Sequence, residues 1–146
     1  MKTELARICA AILGLVVCAA AQDISPSLMG VKPPVLLAFG CLAGIPTAII
    51  AGLFSDSLGS LPFGCSSIFF LAVAISVRLS RTLAIAVVIA AAGVYQLWIA
   101  LWINGGTLFA RAAGALAMAI VLVPAMEFML RRARRAIGID AGGAAK

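Results

Sequence analysis

The chain has 146 residues, 64% of them hydrophobic and 11% charged, against roughly half and a quarter in ordinary soluble domains. One domain of that composition has too much apolar surface to hide in water, which excludes a soluble globule and points to a membrane protein. The net charge of +6 would suit a polyanion, but the basic residues stand at the ends of apolar segments instead of forming a patch that reaches phosphates. Nucleic acid is therefore excluded as a partner, and membrane orientation accounts for the basic excess.

Crossing about 30 Å of hydrocarbon takes roughly 20 apolar residues in a helix, because backbone groups in lipid must be satisfied within the segment. The apolar runs here are long and continuous, unlike the alternating ten-residue strands of a membrane barrel, so an all-α bundle is expected. The first segment, 5–21, follows Lys2 and Arg7 and carries Ala6, Ala10, Gly14 and Cys18 at four-residue intervals. Such a stripe lets two helices approach closely. The run Cys18-Ala-Ala-Ala before Gln22 also allows a second reading, a cleavable leader with a small-residue processing site.

The stretch 34–57 decides the topology, because Gly40, Gly44, Pro46 and Gly52 interrupt it and a proline removes a helical donor. A single kinked crossing would put the amino terminus and the arginine-rich carboxyl end on opposite sides. A hairpin of half-helices, 34–43 and 46–57, broken at Gly44 and Pro46, puts Lys2, Arg7, Arg78, Arg81 and the arginine tail together in the cytoplasm, as the positive-inside rule requires. The hairpin is the expected arrangement. Each arm reaches only about 15 to 18 Å and must be shielded by neighbouring helices. Segments 62–78, 82–103 and 108–135 complete six helices in one polytopic domain spanning residues 1–146, with 136–146 as a short flexible cytoplasmic tail.

Asp56 is the conspicuous residue, since an acid in an apolar run is costly and lies where a half-helix should end, a position that disfavours an anion. With Ser57 and Ser60 it is expected to cap the helix opening near Pro62, a proline suiting a first helical position; the functional alternative is a partner contact or the floor of a cavity. Glu127 stands four residues before Arg131, the spacing of a helical ion pair. Arg111 should snorkel to the opposite interface. Trp98 and Trp102 suit an aromatic belt, and Gln96 a hydrogen bond inside the bundle. Cys9, Cys18, Cys41 and Cys65 have no CxxC spacing, and the chain has no histidine, so they are expected to be small buried residues and no metal or cofactor is expected. Paired carboxylates, a G-x-S-x-G elbow and a phosphate loop are also missing, which points away from an enzyme. Arg131, Arg132, Arg134 and Arg135 form the basic cytoplasmic end, suited to anionic membrane lipid or a cytoplasmic partner.

One stretch is more specific than hydropathy: Gly52-Leu-Phe-Ser-Asp56-Ser-Leu-Gly-Ser60-Leu-Pro-Phe-Gly64. The proline-led apolar run from Pro33 and Pro34, the G-x-x-x-D step, the small-residue turn and the glycine eight residues after the acid resemble the signature of the bacterial rod shape-determining MreD family. Gln22 after the first helix and Pro124 in a last helix that runs into basic residues agree with it. The chain is shorter than is usual for that family, chiefly between the hairpin arms. The resemblance implies a six-helix architecture similar to the substrate-binding components of energy-coupling-factor vitamin transporters. It implies a non-catalytic inner-membrane subunit of the cell-elongation complex, working with an MreC-like protein, an MreB-like filament and peptidoglycan synthases. It also implies that Gly52, Asp56, Ser60 and Gly64 form a structural or partner-contact site. The alternative is a substrate-binding membrane subunit of a vitamin or metal transporter.

Overall fold

The computed structural model describes residues 2–28, 31–59, 61–102 and 108–136. Among them the chain forms six α-helices: α1 (Lys2–Ile24), α2 (Val35–Ala43), α3 (Ile45–Leu58), α4 (Cys65–Leu79), α5 (Ala84–Trp102) and α6 (Leu108–Ala136). The fold is an all-helical bundle.

At its centre is α2, apolar on every side, with Val35 to Leu42 all buried and a contact with each of the other five helices. A helix without a polar face has no place at a water surface and becomes the core itself. The chain breaks at Gly44, whose φ of 140° is costly for any residue with a side chain. Pro46 does not make the break. It sits in the first turn of α3, where a missing N–H costs nothing. Beyond it α3 folds back along α2, so that a Cβ on Gly40 would stand 2.6 Å from the Ala51 methyl. In one continuous helix these two residues would lie roughly 16 Å apart.

The helices run alternately up and down. One end of the bundle gathers the close of α2 at Leu42, the start of α3 at Ile45, the close of α4 at Arg78, the start of α5 at Ala84 and the arginines of α6. The other gathers Gln22 of α1, Pro34 before α2, Leu58 of α3, Gln96 of α5 and Arg111 of α6. At about 1.5 Å per residue α2 is roughly 13 Å long and α3 roughly 21 Å, whereas α6 exceeds 40 Å. Among the described residues one helix, α6 over Phe109–Ala136, is long and apolar enough to cross a membrane by itself; Ile8–Ile24, Ile45–Leu58, Cys65–Leu79 and Ala84–Ile99 are shorter apolar helices.

Three boundaries differ from the sequence expectation. Helix α1 continues to Ile24, and α5 is preceded by a 3-10 turn over Arg81–Leu83. Helix α4 starts at Cys65 instead of Pro62, because the Pro62 carbonyl accepts from the Cys65 N–H at 3.2 Å. That turn has Gly64 at its third position with φ 99° and ψ −15°, the left-handed conformation a type II turn requires there.

The surface of the bundle is apolar as well as its core. Ile12, Leu13, Val17, Ile68, Val121 and Phe128 are each more than half exposed, while Asp56, Ser66 and Ser67 are buried.

Candidate functional site

The junction of α3 with α4 concentrates the buried polar groups. Asp56, in the last turn of α3 and 4% exposed, receives the Gly64 N–H at 2.7 Å on Oδ2 and the Ser66 N–H at 3.1 Å on Oδ1. These donors open α4, whose own N-cap residue, Gly64, has no side chain with which to cap it. A carboxylate disfavoured at the end of its own helix is thus placed at the partial positive charge of the next one. Ser57 takes no part in this cap; its hydroxyl donates back to the Leu53 carbonyl at 2.8 Å. Ser60, expected to help, lies outside the described residues.

The G-x-x-x-D spacing follows from the same geometry. One turn before Asp56, Gly52 faces the α4 backbone so closely that a Cβ would fall 2.4 Å from Ser67 Cα and 2.5 Å from its nitrogen. Glycine brings the two backbones together and the acid one turn later closes the gap by hydrogen bonding. Ser67 Oγ adds a bond to the Ile49 carbonyl at 2.9 Å. Ser66 Oγ lies 2.6 Å from the Tyr95 hydroxyl, which also lies 3.0 Å from Ser55 Oγ, so α3, α4 and α5 are joined by one buried polar chain. Phe69 and Phe70 pack against the Tyr95 ring, with centroids 5.2 and 5.3 Å away. Trp98 is half-buried against Phe69 at 6.1 Å; the Trp102 side chain lies outside the described residues.

Both ends of α2 are also closed by distant side chains. Gln22 Oε1 accepts the Leu36 N–H at 3.0 Å, and an Arg134 guanidinium N–H donates to the Leu42 carbonyl at 2.7 Å across 92 residues of chain. Arg131 Nε donates to Glu127 Oε1 at 2.8 Å, the expected one-turn ion pair. The four arginines therefore divide: Arg134 caps, Arg131 pairs, Arg135 lines a cavity with Arg78, and Arg132 is exposed outside it.

No protein-family model, curated protein or solved structure matches the chain. The structure brings Gly52, Asp56 and Gly64 into one contact, and Gly44 and the arginines into another at the far end of α3. Tyr95 and Ser66 were not singled out in the sequence, because a tyrosine in a membrane-like segment and one serine among several carry no spacing signal. Gln22 was visible only as a residue after a helix. Among the described residues there is no group of three or more metal-ligating side chains.

Proposed function

We propose that the protein is a polytopic, non-catalytic subunit of the bacterial inner membrane, with both termini in the cytoplasm, that helps assemble the cell-elongation complex. The observation that carries the membrane part is the exposed apolar surface: large apolar side chains cover the outside of a core that is itself apolar, and lipid is the solvent in which that arrangement is stable. The short α2 and α3 then form a re-entrant pair shielded by α1, α4 and α6. The basic ends of α4 and α6 fall on one side, as retention of Lys and Arg in the cytoplasm favours.

The role in cell elongation rests on the resemblance of Gly52 to Gly64 to the MreD signature. What supports it physically is that Gly52, Asp56 and Gly64 serve one structural purpose, locking α3 onto α4, so that the spacing has a reason to be kept as a unit. By this reading the protein acts through binding geometry, with an MreC-like protein, an MreB-like filament and peptidoglycan synthases as partners. Affinity capture of the carboxyl-terminally tagged chain from gently solubilised native membranes tests it: an MreC-like protein and a penicillin-binding protein should co-purify. Recovery of a transporter ATPase and coupling subunit would overturn it.

A second reading is favoured by one specific feature. At the end opposite the arginines a cavity of about 310 Å³ is lined by Gln22, Lys32, Ser55, Tyr95, Gln96 and Arg111, a convergence of polar groups suited to a small solute. A substrate-binding subunit of a vitamin transporter would use such a cavity. Saturable binding of a vitamin by the purified protein is the measurement that would favour this reading over the first.

A further inference from the structure

The basic end of the bundle holds a half-open cavity of about 680 Å³ lined chiefly from α2, α4 and α6, with Ile45 of α3 and Ala84 of α5. Four arginines line it: Arg78 on α4 and Arg131, Arg134 and Arg135 on α6. Glu127 is the one acid on its wall, so the lining carries a net charge of +3, four arginines less one glutamate. The other acids with described side chains, Asp23 and Asp56, belong to the opposite end and to the α3–α4 junction. Within this group Arg131 is neutralised by Glu127, and Arg134 is held by the α2 carboxyl end. Arg78 and Arg135 have no hydrogen-bond or ion-pair partner among the described residues.

Helix ends account for single arginines in a last turn, since α2, α4 and α6 all present carbonyls here. Arg78 and Arg135 are solvent-exposed in the last turns of α4 and α6, so both guanidinium groups are open to an anion at the mouth of the cleft, and such an anion would offset their mutual repulsion. The remaining wall is apolar, with Leu42, Ile45, Ala74 and Val77 among its residues. Exposed Leu79 and Met129 on α4 and α6 continue apolar surface towards this end. A ligand matching both features is an amphiphile with a phosphate head: guanidinium forks bind phosphate oxygens, and the walls accept the glycerol and first methylenes.

We infer that this cavity is a binding site for the phosphate headgroup of an anionic phospholipid, gripped by Arg78 and Arg135 over a floor fixed by the Arg134 cap. The lipid source rests on the membrane reading proposed above, whereas the convergence of arginines does not.

The test uses the full chain in an uncharged maltoside detergent, titrated calorimetrically with short-chain phosphatidylglycerol, short-chain phosphatidylcholine, glycerol phosphate and inorganic phosphate. Phosphatidylglycerol should bind saturably with a stoichiometry near one, and the double variant Arg78→Gln with Arg135→Gln should weaken it by about thirty-fold. Arg132→Gln, which removes a charge from the same helix but outside the cavity, should change the affinity by less than about two-fold. Equal weakening by Arg132→Gln would reduce the effect to general surface attraction and overturn the inference, as would equal binding of the phosphatidylcholine. Binding of inorganic or glycerol phosphate as tight as the lipid's, or displacement of the lipid by an acidic peptide at equal concentration, would overturn the lipid assignment. Flotation with pure phosphatidylcholine vesicles separates the two levels: failure to float refutes the membrane reading, while flotation without selectivity for phosphatidylglycerol refutes this site alone.

Discussion

Replacing Asp56 probes the junction on which the α3–α4 packing depends. In Asp56→Ala the Gly64 and Ser66 N–H groups lose their acceptor at a site that is 4% exposed. A buried donor left unsatisfied costs about 1 to 3 kcal/mol, and loss of a helix cap alone costs about 1. Because the two donors share one small region, a total loss of about 2 to 4 kcal/mol is expected. Asp56→Asn keeps one carbonyl oxygen for the 2.7 Å bond from Gly64 and removes the expense of a charge in a low-dielectric setting. It should therefore cost less than about 1.5 kcal/mol. Reversible unfolding in mixed micelles of mild detergent and dodecyl sulfate, followed by circular dichroism, measures both. If Asp56→Ala is as stable as the parent, or Asp56→Asn is as damaging as Asp56→Ala, then capping of α4 is not what this acid contributes.

Three further outcomes follow from neighbouring contacts. Gly52→Ala should destabilise by about 3 kcal/mol or more, since the added carbon meets Ser67 backbone atoms that cannot rotate away; Gly64→Ala, with nothing within 4 Å, should cost only the roughly 1 to 2 kcal/mol of a left-handed alanine. The same unfolding titration ranks the two, and a reversed order would contradict the packing described. Tyr95→Phe should lose about 1 to 2 kcal/mol by removing the hydroxyl shared by Ser66 and Ser55, an effect that should largely disappear when both serines are alanine, as a double-mutant cycle would reveal. For topology, in a chain freed of native cysteines, Phe109→Cys should react with an impermeant maleimide added to intact cells, and Leu79→Cys only after permeabilisation. Both positions are more than four-fifths exposed, so labelling of Leu79→Cys from outside would refute the proposed orientation.

The helical class and the number of segments can be read from apolar run lengths, because runs this long and continuous do not suit short alternating strands. The break between α2 and α3 falls at Gly44, one of the residues marked by composition, although the proline beside it has a different part to play. Asp56 was recognisable as an isolated acid, and a cap for the following helix was one expected reading. Its donors were not, because Pro62 suggested an earlier helix start and the actual cap crosses a type II turn to Gly64 and Ser66. The contact of Trp98 with Phe69 was illegible for a similar reason: in a helix apolar on all sides, periodicity does not say which face meets a neighbour. The partners of Gln22 and Arg134 lie 14 and 92 residues away, beyond any local spacing rule.

That last distance bears on how the chain is made. Helix α2 is synthesised with Gln22 already available for its first turn, but the guanidinium that caps its Leu42 carbonyl follows 92 residues later. Until α6 is made, the central helix ends on a Leu42 carbonyl that lacks this donor. The final helix thus does more than add a segment: its Arg134 closes the end of the helix at the centre of the bundle.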